Sequence, residues 1–235
     1  MPFVKIIIFL ILLFTFNICT TNLSAQEAQD KTGNWLMYWG ANRVSKKVSI
    51  WTEAQYRLYE VVSNPEQLVL RTGLIYHLQN SASFSAGYAY ARTWPFDESL
   101  NNAVTSNENR LWEQFILKNK LWRFDFEHRY RLEQRWVKTE VVKYSTRMRY
   151  RLLLTLPLTN VHLIPSTLFL ATYNEIFLNI SGGETFDQNR LYFALGYQFS
   201  SKGQVQAGYL FQILRRETLK RLQFAFVYNL DFRKH

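Results

Sequence analysis

The sequence predicts an all-β protein, a closed antiparallel transmembrane β-barrel of about ten strands, with twelve strands as the alternative. Three observations support this prediction. Long segments alternate polar with apolar residues, an apolar N-terminal run is typical of an export signal, and aromatic residues share one face of the last predicted strand. Alternation indicates a β-strand because successive side chains point to opposite faces. In a membrane barrel the apolar face contacts lipid and the polar face lines the lumen.

The clearest alternating segment covers residues 121–136. Every odd position from Arg123 to Arg135 is ionic, whereas most even positions from Trp122 to Trp136 are apolar or aromatic. The segment is far longer than the ~5–6 residues of a usual strand in a soluble protein. Its length and its two contrasting faces favour a strand that crosses a membrane.

Nine further segments alternate in a similar way. They cover residues 48–59, 68–78, 84–92, 108–117, 143–156, 167–178, 188–199, 204–214 and 219–232. Bacterial single-chain barrels have an even number of strands. We therefore predict that an eleventh candidate, from Trp35 to Ala41, is a partial strand or a segment that enters the lumen. On this interpretation residues 26–44 are an N-terminal segment and residues 45–235 form the barrel.

Residues 1–25 have the form of a cleaved signal peptide. Lys5 precedes an apolar run from Ile6 to Phe16, and small and polar residues then lead to Ala25. The apolar run is too short for a membrane-spanning helix. We therefore expect export, and residence in the outer membrane of a Gram-negative cell.

The charge balance suggests the kind of partner. The chain has 28 Lys and Arg against 18 Asp and Glu. For an exported protein without a nucleic-acid recognition motif, we expect contacts with outer-membrane lipid and lipopolysaccharide, with a small anionic solute as a second candidate partner, but no contact with nucleic acid. We predict a monomer. The histidines are dispersed and Cys19 is the single cysteine, so we expect no metal site and no cofactor.

Charges predicted on the inner face form the candidate site. The cluster consists of Arg110, Arg129, Arg131, Arg147, Arg149 and Arg151 with Glu108, Glu127 and Glu133. Surplus guanidinium groups in a lumen can bind phosphate or carboxylate, or favour anions in a pore. Equally, Arg–Glu pairs can fill a narrow barrel and link its strands.

Two tight connections would set the pairing of these charges. A turn at Asn119 and Lys120 would place Glu108 opposite Arg131. A link centred near Thr139 would place Arg131 opposite Arg147. Both registers are hypotheses, because a slip of one residue exchanges the two faces of a strand.

A series of short motifs is similar in order and spacing to one known family. The motifs are Trp35 with Gly40, Glu53-x-x-x-Arg57, Gly87-Tyr88, Glu108-x-Arg110-x-Trp112, Arg129-x-Arg131-x-Glu133, Arg147-x-Arg149, Tyr173-Asn174-Glu175, Gln188-Asn189-Arg190, Gly196-Tyr197 and Gly208-Tyr209. Across residues 33–232 the series resembles the domain of unknown function 2490 family, regarded as outer-membrane β-barrels of Gram-negative bacteria. The resemblance implies fold and location, but supplies no substrate and no catalytic residues.

These observations predict an outer-membrane barrel without catalysis, either a narrow porin-like channel or a structural or binding barrel. One alternative is a lipid-modifying enzyme. It finds little support, because Tyr150 rather than a serine is the expected neighbour of His128, and His77 has no evident serine partner. The other alternative is a soluble periplasmic lipocalin-like carrier, with Phe124 inside the barrel and the charges in water.

Overall fold

The computed structural model describes residues 32–96 and 104–233, which form eleven β-strands. The strands are β1 Gly33–Arg43, β2 Val48–Leu58, β3 Pro65–Gln79, β4 Ala82–Thr93, β5 Ser106–Leu121, β6 Phe124–Lys138, β7 Val142–Pro157, β8 Thr167–Ser181, β9 Phe186–Gln198, β10 Gly203–Ile213 and β11 Thr218–Tyr228. Within the two described ranges, no helix is long and apolar enough to cross a membrane. The predicted signal peptide, residues 1–25, lies outside the described residues.

The strands form a closed barrel in which each strand pairs with its neighbours in the chain. The predicted all-β barrel is therefore confirmed. The closing pair differs from the rest, because β1 and β11 run parallel, from Gly33 opposite Arg221 to Trp39 opposite Val227. An odd number of up-and-down strands makes the first and last strands run in the same direction.

The first strand corrects the sequence interpretation. Residues 33–43 are a complete strand of eleven residues, not a partial strand or a lumen-entering segment, so the barrel begins at Gly33 rather than at residue 45. The reason lies in the packing of the inner face. Trp35 and Met37 belong to the buried core cluster together with Tyr173, Tyr192, Ala194, Leu210 and Ala225. Without β1 these side chains would lack part of their packing.

The two ends of the barrel carry different connections. We call the end with the β4–β5 connection the loop end, and the opposite end, with the two-residue turns after β3 and β5, the turn end. Trp122 begins the β5–β6 turn with a φ of 55°. A left-handed residue at this position matches the twist of a two-residue hairpin. The turn therefore lies at Trp122 and Arg123, not at Asn119 and Lys120.

The charged face of the strands points into the barrel and the apolar face points out. On β6, Arg131 is 2% exposed whereas its neighbour Tyr130 is 45% exposed. Exposed large apolar side chains surround the barrel, among them Leu36, Ile50, Leu70, Leu74, Phe84, Tyr88, Leu111, Met148, Leu170, Phe193, Leu195, Phe224 and Phe226. This distribution is the reverse of that in a soluble protein, where buried charges are rare. The chain therefore does not adopt the alternative arrangement, in which Phe124 would lie inside the barrel and the charges on its outer surface.

The parallel closing pair can be tested by cross-linking. Leu36 and Phe224 are opposite one another on the outer face, so L36C/F224C should form a disulfide in high yield in a chain that starts at Gln26 and lacks Cys19. The control L36C/F226C places the second cysteine two residues further along, beyond the ~7 Å between Cα atoms that a disulfide can span. Equal yields from both pairs, measured by mobility in non-reducing gels, would contradict the register.

Candidate functional site

Glu133 on β6 is the centre of an ion-pair network inside the barrel. Arg147 Nη2 donates to Glu133 Oε2 at 2.7 Å, and Arg149 Nη1 donates to Oε1 at 2.7 Å. Arg71 Nη2 and Arg131 Nη1 lie 3.6 and 3.8 Å from Oε1. One buried carboxylate therefore faces arginines from β3, β6 and β7, which fixes these strands relative to one another.

Glu175 on β8 extends the network to the next strand. Its Oε1 accepts hydrogen bonds from Arg129 Nη2 at 2.6 Å and from Arg149 Nε at 2.9 Å. Arg149 thus links Glu175 to Glu133. Its guanidinium also stacks on Phe177, with 4.2 Å between Arg149 Cζ and the ring centroid. Charge-assisted hydrogen bonds of this kind are about twice as strong as neutral ones.

Three more carboxylates form ion pairs with arginines elsewhere on the inner face of the barrel. Arg71 Nη1 donates to Glu53 Oε1 at 2.6 Å, which joins β3 to β2. Glu108 accepts two bonds from Arg110, both at 2.7 Å, and also binds Arg135. Nearer the turn end, Arg151 Nη2 donates to Glu127 Oε1 at 2.6 Å. Each of these carboxylates is therefore paired with at least one guanidinium group, although Nε of Arg71 and of Arg151 has no hydrogen-bond partner.

All nine residues predicted for the lumen cluster lie on the inner face, but some of their predicted pairings were wrong. Because the β5–β6 turn is at Trp122 and Arg123, Glu108 is opposite Val137 rather than Arg131. Arg131 is opposite Arg149 rather than Arg147, which is a shift of two residues that keeps the same face inward.

Several functional side chains were missed from the sequence. Glu53, Arg71 and Glu175 supply essential partners, and Arg57 and Arg190 line the same interior. The signal was present, because Glu53 and Arg57 alternate with apolar residues on β2, and Glu175 and Arg190 lie in two of the family-like motifs. These residues were missed because β6 and β7 carry many ionic residues, whereas β2, β3, β8 and β9 carry only one or two each and so give a weaker signal.

Trp112 provides the apolar part of the wall beside Arg71 and Arg131. The guanidinium carbons of these arginines lie 6.0 and 5.2 Å from the ring centroid. Gly73 and Gly87 face each other beneath the ring, and a Cβ at Gly87 would lie 2.8 Å from Trp112 Cζ2 and 2.1 Å from a backbone oxygen. The two glycines therefore make room for the indole.

The histidines correct one expectation and agree with another. Contrary to the prediction for His77, its Nε2 lies 2.8 Å from Ser49 Oγ, close to the turn end. His128 contacts Tyr150 Oη at 2.9 Å and Asn119 Oδ1 at 3.1 Å, so Tyr150 is its neighbour as predicted. Ser49 is buried, and in the described part of the chain no carboxylate is hydrogen-bonded to His77. The pair therefore lacks the orienting acid of a catalytic triad.

Two cavities approach the network from opposite ends. The loop-end cavity has a volume of about 320 Å³ and extends from Arg149 to Thr93 and Ser106 at the rim. The turn-end cavity is smaller, about 160 Å³. Arg129 and Arg151 line both cavities and thus lie between them. Among residues 32–96 and 104–233, no three His, Cys, Asp or Glu side chains are grouped as metal ligands.

Tyr59 closes part of the loop end. Its hydroxyl donates to the Trp94 carbonyl oxygen at 2.9 Å, and its ring makes an edge contact with Phe96. Burial, together with the negative charge of Glu66, raises the pKa of the Tyr59 hydroxyl. The hydroxyl therefore remains a hydrogen-bond donor at neutral pH and holds the start of the β4–β5 connection over the barrel.

The fold and the interior define the class of protein as a closed β-barrel whose lumen is lined by arginine and glutamate. A family model described as "Protein of unknown function (DUF2490)" matches residues 32–223. The chain belongs to the DUF2490 family, as the ordered motifs predicted. No curated protein and no solved structure matches the chain.

Loss of the central carboxylate should destabilise the barrel strongly. E133Q leaves Arg147 and Arg149 buried without their shared charged partner, and breaking a buried ion pair in this way costs about 3–5 kcal/mol. The free energy of unfolding in urea, measured in micelles, should fall by that amount. The matched control E113Q alters an exposed glutamate on the outer face of β5 and should not lower it. A change for E133Q within ~0.5 kcal/mol of wild type, as for ordinary surface substitutions, would contradict the role of Glu133.

Proposed function

We propose that this chain is an integral outer-membrane β-barrel whose lumen is filled by its own Arg–Glu network, and that it acts as a structural or binding barrel without catalysis. The observation that carries the proposal is the reversed distribution of polarity. Leu74 is 62% exposed on the outside of the barrel, whereas Arg131 and Glu133 are buried inside. Water on the outside would leave the apolar surface exposed, while lipid would cover it.

The dimensions of the strands support this location. The strands contain 11 to 16 residues, and a tilted strand needs about 9–11 residues to cross the hydrocarbon core. The apolar N-terminal run of residues 1–25 would provide the export signal. Outer-membrane lipid and lipopolysaccharide would then be the principal partners of a monomeric barrel.

Polar side chains on the outer face are few, and several of them satisfy each other. The amides of Asn174 and Asn189 exchange two hydrogen bonds of 2.9 and 3.1 Å across β8 and β9. His128 is bound to Tyr150 and Asn119 close to the turn end. Mutual pairing lowers the cost of placing polar groups against lipid, which supports the same assignment.

A lysine on the outer face tests the membrane location. L74K should lower the free energy of unfolding from vesicles by about 2–4 kcal/mol, the cost of a cation near the middle of the bilayer. V62K changes an even more exposed apolar residue, in the β2–β3 connection, where the lysine would lie in water and cost little. If Leu74 faces water, as in a soluble carrier, both substitutions should be neutral. Release of the wild-type protein by osmotic shock without detergent would also contradict the proposal.

A narrow anion channel is the second candidate function. Among the buried residues in the described part of the chain, nine are arginines and four are glutamates, and an excess of positive charge favours anions in a pore. The two cavities also meet at Arg129 and Arg151.

Single-channel recording distinguishes the two candidates. We expect no steady conductance from the refolded wild-type barrel, because the network occupies the space between the cavities. Steady anion-selective current that loses its selectivity in R129Q/R149Q would contradict a filled lumen and favour the channel. R92Q, which removes a charge from the outer face, is the control.

A further inference from the structure

Two buried arginines in the loop-end half of the barrel have no acidic partner. The other seven buried arginines each lie within 4.0 Å of a carboxylate oxygen. Arg57 and Arg190, which are 9% and 7% exposed, contact no carboxylate among the described residues. A charge removed from water without an opposite charge costs several kcal/mol, even after relaxation.

The contacts of these two arginines compensate only part of that cost. Arg57 donates to Gln67 Oε1 at 2.8 Å and to Gln55 Oε1 at 2.6 Å, and its Nε has no partner. Arg190 makes one long hydrogen bond, from Nε to Gln188 Oε1 at 3.3 Å. Both guanidinium groups stack on the indole of Trp35, with Cζ of Arg57 and of Arg190 at 4.0 and 4.7 Å from its ring centroid. The Arg190 guanidinium also lies over Phe177, with Cζ 4.6 Å from that centroid.

Trp35 thus holds two like charges close together. A cation over an aromatic face gains about 0.5–2 kcal/mol, which is less than the desolvation cost of the ion. The indole nitrogen of Trp35 points to Glu66 at 3.4 Å, but Glu66 lies against Arg221 at 3.5 Å. Glu175 is opposite Arg190 in the sheet, but it already accepts hydrogen bonds from Arg129 and Arg149. The acidic groups beside the two arginines are therefore shared with other arginines. Both arginines line the same cavity, and two guanidinium groups exposed to one cavity are suited to a shared oxyanion.

The cavity beside the two arginines has the size and lining of a small-ligand site. Its volume of about 320 Å³ is at the lower end of the ~300–1,000 Å³ range of ligand pockets. Ten arginines and five carboxylates line it, and the carboxylates are already held by arginines, as for Asp187 with Arg147 at 2.8 Å. Its surface therefore keeps a net positive charge.

The side-chain oxygen of Gln212 indicates which functional groups a ligand in this cavity needs. Gln212 Oε1 is buried in this lining without a hydrogen-bond donor, while Gln212 Nε2 is held by Gln188 Oε1 at 2.8 Å. An unpaired acceptor beside unpaired guanidinium groups matches a ligand that carries negative oxygens and one hydroxyl. Hydrogen phosphate has both features, and so does a phosphate monoester that carries an alcohol hydroxyl, since the second phosphate proton of a monoester is lost with a pKa of about 6.

We propose that the loop-end cavity binds a phosphate group, free or as a small hydroxylated monoester, at Arg57 and Arg190, with a hydroxyl of the ligand donating to Gln212. This site deepens the binding role proposed above. Its occupancy is measured in micelles, so failure to bind phosphate is distinguishable from failure of the membrane assignment.

Binding of inorganic phosphate to the refolded full barrel in octyl glucoside micelles, which contain no phosphate, tests the site by calorimetry. The wild-type protein should bind phosphate saturably. R57Q and R190Q should each bind phosphate more weakly by about tenfold or more, because each loses charge-assisted hydrogen bonds to the anion. R92Q removes an arginine from the outer face near the same end and should bind like wild type. Glycerol 3-phosphate is tested as a second ligand. Whichever of the two binds more tightly shows whether the site prefers free phosphate or a phosphate monoester.

Stability without phosphate separates binding from a purely structural role. R57Q and R190Q remove uncompensated charge, so their urea midpoints in phosphate-free buffer should equal or exceed that of wild type, and added phosphate should raise only the wild-type and R92Q midpoints. If R57Q does not fold, R190Q alone provides the test, because Arg190 makes the weaker contacts within the barrel.

Three results would overturn the proposal. The first is that the wild-type protein shows no saturable binding of phosphate up to ~1 mM. The others are that R92Q and R190Q bind phosphate equally well, or that sulfate, which has no proton to donate, binds as tightly as phosphate.

Discussion

A charge on the inner face of this barrel is costly unless a second group balances it, because the charged side chain is largely buried away from water. Glu133 and Glu175 meet much of this requirement by pairing with five arginines from β3, β6 and β7. Burying a pair of ions contributes little net stability, but leaving one of them alone is costly. The network therefore acts mainly on specificity, since it favours the one arrangement of strands in which all partners meet.

The same constraint explains why the strand register is well defined. A slip of one residue on β6 would turn Arg129, Arg131 and Glu133 outward and bring Tyr130 and Leu132 into the network. Such a slip would lose the ion pairs and also place charge on the apolar outer face. The ion pairs inside the barrel and the apolar residues on its outer face therefore favour the same register.

The sequence was sufficient for the fold class but not for the number of strands. The alternation of β6 separates its faces clearly, whereas β1 is apolar on both faces, with Trp35 and Met37 inside and Leu36 and Tyr38 outside, so its pattern carried little signal. The rule of even strand numbers then argued against it. Only the packing of Trp35 in the closed barrel, a contact between distant parts of the chain, reveals that β1 is complete.

The candidate site was predictable as a set of residues and not as a set of contacts. Alternation places Arg147 and Glu133 on the inner face, but their pairing depends on where each turn lies, and Trp122 is not a residue type that marks a tight turn. Glu175 reaches Arg129 across two strand pairs, a distance that no local pattern encodes. The unbalanced pair Arg57 and Arg190 becomes visible only when the partners of every other arginine are known.

Proton–proton contacts between lipid and side-chain methyl groups test the central claim most directly, because they report which face of each strand touches acyl chains. In lipid nanodiscs, nuclear Overhauser effects from acyl methylene protons should reach the methyl groups of Leu70 and Leu195 on the outer face. They should not reach Val69 and Leu210, which are buried inside the barrel. Acyl contacts to Val69 and Leu210, with Leu70 and Leu195 in contact with water, would contradict the account.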